Sequence, residues 1–214
     1  MQQVIGLVGL GAMGGGMLAR LRETGHEVLC FDANAQAMDR AAGIGGTPAT
    51  SLAEIGATCG IILLSLPKAA IVRAVMHDLM PVVAVQSVVV DTSTSEPETT
   101  RALAAQAQAR GFRFLDAPVS GGPKGARDGS MSMIVSGDAT ALDQVRPVLV
   151  QMTAKLLHIG SSGAGHSAKI ANNLLCAANL VLVSEMAYLA QRAGLSLGNL
   201  LAGINAGSGR SGVS

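Results

Sequence analysis

Six residues near the start of the chain do most to limit what it can become. Gly9-Leu10-Gly11-Ala12-Met13-Gly14 follows directly on the apolar run Gln3 to Val8. A helical pattern through Met17, Leu18, Leu21 and Arg22 comes next and stops at Gly25. The order strand, glycine turn, helix is the setting in which G-x-G-x-x-G rises above a chance spacing. Gly9 permits the tight turn, Gly11 lets backbone approach a pyrophosphate, and Gly14 lets helix and strand pack closely. The helix then offers a phosphate its unpaired N–H groups and the positive end of its dipole. Gly9, Gly11, Ala12, Met13 and Gly14 are therefore expected to hold a dinucleotide. A second strand, Glu27 to Phe31, ends in Asp32, at the offset the fingerprint asks for. A carboxylate there accepts from both ribose hydroxyls and repels a 2′-phosphate, so NAD is the expected cofactor and NADP the less favoured one. The plain alternative is a Gly-rich turn followed by an unrelated aspartate.

Strand and helix continue to alternate. Ala35 to Ala42 reads as helix, and Ser51 as the N-cap of a short helix ending near Gly56. Ile61 to Leu66 is a buried strand with a helix from Pro67 to Met76. Val88 to Asp91 is another strand, with a helix from Pro97 to Ala109 opened by Thr94 or Ser95. Strands that are apolar throughout, joined by helices, predict a mostly parallel sheet covered on both faces, a Rossmann-type doubly wound α/β fold. In that fold ligands gather at the carboxyl ends of strands. Leu66-Pro67 and Asp91-Thr92-Ser93-Thr94 sit at two such ends and become candidate cofactor loops, Leu66, Pro67 and Thr94 foremost, although ordinary turns and caps use the same residue types.

Phe112 to Leu115 predicts a further strand, and Asp116-Ala117-Pro118-Val119-Ser120-Gly121-Gly122 follows it. A serine before two glycines offers a hydroxyl and exposed backbone N–H groups, a small nest suited to a carboxylate; a bare loop into the next helix is the alternative. Ser132 to Val135 and Lys155 to Ile159 read as strands around a helix from Ala139 to Met152. Gly160 to Gly165 is a glycine- and serine-rich joint. A long helix is expected from Ala168 to Arg192, and another from Ser196 to Asn205. The expected domains are residues 1–162, binding the nucleotide, and 163–214, the long helix and the start of a helical second domain.

Lys169 stands near the head of that long apolar helix, with Asn172 and Asn173 beyond it. Positions four apart share a face, so Lys169 and Asn173 can point at one small molecule. A lysine that loses solvation on an apolar helix has its pKa lowered, which suits acid/base work. The bland reading is a lysine that reaches solvent and amides that bridge helices.

Composition closes other routes. A net charge of +1, no basic run, one Tyr and no Trp argue against nucleic acid or an anionic membrane as partner. Cys30, Cys59 and Cys176 are few and far apart, as expected of buried thiols in a reducing compartment. The four His have no ligand spacing, so no metal is expected. No basic leader precedes the first strand, and the most apolar run, Leu174 to Val183, reads as too short to span a bilayer. A cytoplasmic protein is expected.

Several stretches together resemble the β-hydroxyacid dehydrogenases, which include 3-hydroxyisobutyrate dehydrogenase, tartronate semialdehyde reductase and threonate dehydrogenases. They are Gly9 to Gly14 with Met17, Asp91-Thr92-Ser93-Thr94, Asp116 to Gly122, and Gly163-Ala164-Gly165 with Lys169 and Asn172-Asn173. The resemblance implies oxidation of a short β-hydroxy acid to its semialdehyde, or the reverse. It makes Lys169 the general acid/base and has Asn173 position the substrate. Ser120, Gly121 and Gly122 would hold the substrate carboxylate, while Thr94 and the Leu66-Pro67 loop would line the cofactor. Family chains run further, so roughly the last third of their length is expected to be missing after Ser214. The related 6-phosphogluconate dehydrogenases carry a histidine where Asn172 stands, which argues against that decarboxylating activity. A non-catalytic dinucleotide scaffold and an imine reductase are the alternatives on the same fold. The apolar face of the long helix, with Leu174, Leu175, Val181, Leu182 and Leu189, is expected to pack in a homodimer or homotetramer, or against further helices.

Overall fold

The computed structural model describes residues 4–213, so Gln3, expected to open the first strand, lies outside them. Two compact units divide between Lys169 and Ile170. That division falls inside the long helix, whereas the sequence reading placed it at the glycine-rich joint before it.

The first unit is built on six parallel strands in the order β3-β2-β1-β4-β5-β6. These are β1 (Ile5–Val8), β2 (Val28–Phe31), β3 (Thr47–Pro48), β4 (Ile61–Leu64), β5 (Val88–Asp91) and β6 (Arg113–Asp116). All residues of β1, β4 and β5 are buried. Their side chains alternate between two cores. Ile5, Leu7, Ile61, Leu63, Val88 and Val90 pack on one face with Met17, Leu18 and Leu21 of α1 (Ala12–Glu23). Val8, Ile62, Leu64 and Val89 pack on the other with Ile55 of α3 (Leu52–Thr58), Val72 and Met76 of α4 (Ala69–Leu79), and Leu103 of α5 (Pro97–Ala109). Period-two side chains buried at every position require helices on both faces, and that is the doubly wound arrangement.

Local chemistry sets the helix starts. Asn34 caps α2 (Ala35–Gly43), accepting from the N–H groups of Gln36 and Ala37, and Ser51 caps α3, accepting from that of Glu54. The cap of α5 departs from expectation. Neither Thr94 nor Ser95 caps it: Glu96 occupies the cap position with Pro97 at the first turn, and the Ser95 hydroxyl donates to Asp91 Oδ2 at 3.2 Å instead. A buried carboxylate competes for that hydroxyl better than a half-solvated helix end does.

After β6 the chain forms a second, three-stranded sheet, β7-β8-β9. β7 (Val119–Ser120) runs antiparallel to β8 (Met131–Val135), which pairs in parallel with β9 (Thr153–His158). Between them lie α6 (Gly122–Asp128) and α7 (Ala139–Leu149). The two-residue strands β3 and β7 and the seven-residue α6 were not anticipated, being too short to leave a periodic signal.

α8 (Ala164–Arg192) begins in the first unit and crosses into the second, which also contains α9 (Leu197–Ala206). α8 starts at Ala164, one turn before the expected Ala168. By length and apolar composition the 29-residue helix could cross a membrane, so the argument from the short run Leu174 to Val183 does not hold for the whole element. The thiols also depart from expectation: Cys30 and Cys59 are buried but Cys176, on α8, is exposed. Burial pushes the Cys59 thiol up to about 11 and raises that of Cys30. A maleimide titration near neutral pH is therefore expected to label Cys176 alone in the native chain, with all three thiols reacting once it is unfolded. Fast labelling of Cys59 in the native chain would contradict this packing.

Candidate active site

The strand order reverses between β1 and β4, and the cleft above that point is where an open α/β sheet binds ligands. Gly9 takes φ of 94°, and its N–H donates to Phe31 O at 2.9 Å. A Cβ added to Gly14 would lie 1.9 Å from Gly9 O, so turn and helix approach this closely only as glycines. At Gly11, the N-cap of α1, an added Cβ would meet nothing within 4 Å: the backbone here faces open space. That space is a cleft of about 570 Å³, lined by Gly9, Gly11, Ala12, Met13, Gly14, Asp32, Leu66 and Pro67, with Ile71 and Val75 completing an apolar wall. Asp32 is held by two backbone donors, Leu10 N–H at 2.7 Å and Asn34 N–H at 2.8 Å. A backbone cradle beneath a helix N-terminus, an apolar wall and an oriented carboxylate fit the phosphate, adenine and ribose of a dinucleotide.

Thr94 is exposed in the loop after β5 and is not among the residues lining this cleft. Its neighbour Ser93, in the same candidate loop, makes the connection to the cleft instead: Leu66 N–H donates to Ser93 Oγ at 3.0 Å.

The second cluster joins residues far apart in sequence. Lys169 Nζ, in the second turn of α8, donates to Ser120 Oγ of β7 at 2.7 Å, and both residues are half-buried. Gly121 and Gly122 follow with φ of 125° and 64° and turn the chain out of β7 into α6. Asn173 lies four residues beyond Lys169 on α8, exposed and within the second unit.

Beneath Lys169 is a buried polar network that sequence reasoning missed. Asp116, at the end of β6, accepts from Gly163 N–H at 3.0 Å and Ser136 Oγ at 2.5 Å through Oδ1, and from His166 N–H at 3.0 Å through Oδ2. Gly165 N–H donates to Ser136 Oγ at 2.9 Å. A carboxylate and a hydroxyl from other elements thus satisfy the unpaired N–H groups at the start of α8, which is why the helix begins early. His166 is fully buried, with Nδ1 2.6 Å from Thr100 Oγ1 and Nε2 3.1 Å from Ser93 O. Asp91 Oδ2 is 4.0 Å from Nε2, and Asp116 Oδ2 3.9 Å from Nδ1. Among the described residues no group of His, Cys, Asp and Glu has the makings of a metal site.

Burial raises the Asp91 carboxyl above its ordinary value, opposed by hydrogen bonds from Ser93 and by the His166 imidazole. The folded chain then holds that proton more tightly than the unfolded one. Its contribution to stability is present at low pH and is lost as pH rises from about 3.8 through the raised value. Asp91→Asn does not titrate, so its melting temperature relative to the wild type is expected to climb as pH rises through that window. A constant difference from acid to neutral pH would show that Asp91 is not penalised by burial.

A dinucleotide cleft at a switch point, joined through Ser93 to a helix that presents a lysine beside a serine, is the layout of a nicotinamide-dependent oxidoreductase. Comparison with known proteins defines the family. Residues 4–160 match the NAD-binding domain of 6-phosphogluconate dehydrogenase, and residues 163–214 match the NAD-binding model of NADP-dependent 3-hydroxyisobutyrate dehydrogenase. A probable 3-hydroxyisobutyrate dehydrogenase of Mycobacterium tuberculosis is 36% identical over 205 residues, 96% of this chain and 70% of that protein. A 2-(hydroxymethyl)glutarate dehydrogenase of Eubacterium barkeri is 34% identical over 210 residues, 97% of this chain and 70% of that protein. The solved structure of the Mycobacterium tuberculosis 3-hydroxyisobutyrate dehydrogenase with L-serine superposes with a TM-score of 0.94 at 35% identity, covering 99% of this chain and 72% of that one. The chain belongs to the β-hydroxyacid dehydrogenase family and is a dehydrogenase acting with a nicotinamide dinucleotide.

Proposed function

We propose that this chain interconverts a 2-substituted 3-hydroxypropanoate and its semialdehyde, with NAD as the preferred cofactor and Lys169 as general acid/base. The observation that carries the proposal is the 2.7 Å bond from Lys169 Nζ to Ser120 Oγ. It sets a proton-transfer group beside the start of the Ser120-Gly121-Gly122 turn, and two groups this close suit a hydroxyl two carbons from a carboxylate. The ligands named for the relatives share that skeleton: 3-hydroxyisobutyrate, 2-(hydroxymethyl)glutarate and L-serine each carry a hydroxymethyl group on the carbon next to a carboxylate. They differ only in the third substituent.

When bound in the cleft, the nicotinamide cofactor accepts or returns the hydride. The rest of the work falls to the chain. Lys169 takes the hydroxyl proton as the carbinol carbon is oxidised and gives it back when the aldehyde is reduced. Ser120, Gly121 and Gly122 hold the carboxylate, and Asn173 orients the substrate from the same helix as Lys169. Gly9, Gly11, Ala12, Met13, Gly14, Leu66 and Pro67 hold the dinucleotide, Asp32 reads its ribose, and the loop after β5 reaches the cleft through Ser93 on Leu66, with Thr94 outside its lining. The exposed apolar residues of α8, among them Leu174, Leu175, Val181 and Leu189, support assembly as a homodimer or homotetramer. Cytoplasmic residence, without a membrane or nucleic-acid partner, belongs to the same reading and rests on the composition.

Nicotinamide absorbance followed over a panel of such hydroxy acids and semialdehydes, with both cofactors, tests the proposal. Turnover confined to acids lacking the hydroxymethyl group would reject the substrate class. Asp32 has its own test. Asp32→Ser loses the ribose acceptor and the repulsion of a 2′-phosphate, so the preference for NAD in kcat/KM is expected to fall about tenfold or more, the worth of one charge-assisted hydrogen bond. An unchanged preference would mean that another residue reads the ribose.

A further inference from the structure

The buried network under Lys169 is unusual in what it joins. Beginning at the cleft, Leu66 lines the nucleotide space and its N–H donates to Ser93 Oγ. The backbone carbonyl of the same serine meets His166 Nε2 at 3.1 Å. His166 sits in the first turn of α8, three residues before Lys169, with its own N–H on Asp116. Two links therefore separate the wall of the cofactor cleft from the helix that carries the lysine, and both depend on Ser93.

We propose that His166 is a positioning residue that couples occupancy of the nucleotide cleft to the placement of Lys169. The proposal rests on the reading of Lys169 as acid/base and adds how the site sets it. The hydrogen-bond inventory defines what the imidazole must do. A carbonyl only accepts, so Nε2 carries a proton toward Ser93. Nδ1 meets the hydroxyl of Thr100, which also lies 3.4 Å from Glu96 O, so that hydroxyl can donate to the ring or turn away from it. The charged groups facing the ring are Asp91 from β5 and Asp116 from β6. The ring is wholly buried, with both nitrogens engaged, and an imidazole so fixed transmits a shift of the loop to the helix instead of absorbing it.

The test uses the whole chain and two substitutions. His166→Leu fills the space and makes neither bond. His166→Gln can donate to Ser93 O and accept from Thr100. Hydrogen exchange of the amides of residues 163–169 is followed by mass spectrometry with and without NADH, beside steady-state kinetics. NADH is expected to slow exchange in this segment in the wild type and in His166→Gln, but not in His166→Leu. The leucine variant is expected to lose about 100-fold in kcat, the cost of a lysine misplaced by about an ångström, with KM for NAD changed less than about threefold. The glutamine variant should recover most of that loss. Equal protection by NADH in His166→Leu and the wild type would overturn the proposal, and so would a glutamine variant as impaired as the leucine one. Should leucine unfold the chain, Ser93→Ala removes the link to Leu66 with little change of shape and takes its place in the comparison. Exchange requires no turnover, so activity surviving in Lys169→Ala would sink the acid/base reading without altering this result.

Discussion

Lys169→Ala is expected to lower kcat by about three to five orders of magnitude while changing NADH affinity less than about threefold. A positioned general acid/base contributes about 100- to 10,000-fold. The same amine, as a cation, also faces an oxygen that gains negative charge in the transition state, and because one group does both the two factors do not multiply in full. Nucleotide affinity is spared because Lys169 is not among the residues lining the cleft; it bonds Ser120, and its helix start is tied to Asp116 and Ser136. Lys169→Arg should rescue nothing, since a guanidinium does not give up its proton near neutral pH and its planar fork does not fit a site built for an ammonium. Added methylamine should restore part of the activity of the alanine variant and none of that of the arginine variant. Ser120→Ala is expected to act mainly on KM for the acid. Nicotinamide absorbance gives the rates and quenching of NADH fluorescence gives the affinity. An alanine variant that turns over within tenfold of the wild type would remove Lys169 from the chemistry.

How much of this was legible in the sequence depended on whether the reason for a residue was local. Gly9 is required by its own positive φ of 94° and Gly14 by a contact within the turn, 1.9 Å from an added Cβ to Gly9 O, so the spacing alone exposed them. Asp32 stands at a fixed offset because one helix and one strand separate it from the turn. The central strands showed themselves because both faces are buried, which demands apolar residues throughout. The pairing of Ser120 with Lys169 spans 49 residues. The residues themselves suggested only a lysine on a helix and a possible anion nest, and it was the resemblance to a family that put them together. The start of α8 was misplaced for the same physical reason. Gly163 and Gly165 read as a joint because their N–H groups are satisfied by Asp116 and Ser136, from elements that no local pattern brings near. Gly165 is glycine because a Cβ there would lie 2.8 Å from Asp116 Oδ2, and not because the helix pauses. Asp91 and Ser93 stood out only by their place at a strand end, and nothing local tied them to His166, since a buried polar network carries no periodicity.

Asp116→Ala should destabilise the chain about as much as truncating a large side chain of the core. The carboxylate is fully buried and accepts from Ser136 Oγ and from the N–H groups of Gly163 and His166. Alanine leaves those donors without an acceptor in a place water does not reach. Each orphaned buried donor costs about 1–3 kcal/mol, and removing one partner from a buried charged network costs about 3–5 kcal/mol. The second figure is the better guide, because Ser136 can turn its hydroxyl elsewhere. For a chain of this size that is a fall in melting temperature of about 6–20 °C. Asp116→Asn keeps the shape and one acceptor but points an amide at a donor, so it should lose about half as much. The damage should also be local. The N-terminal turn of α8 is expected to exchange its amides faster than the rest of the first unit, and activity should fall at temperatures well below the melt, as Lys169 loses the turn that aims it. Urea titration measures the global cost, and hydrogen exchange over residues 163–169 the local one. A variant that melts with the wild type would mean that α8 begins at Ala164 without help from β6. In that case the reach from Asp116 to the lysine helix would be a consequence of the fold and not one of the contacts that hold it.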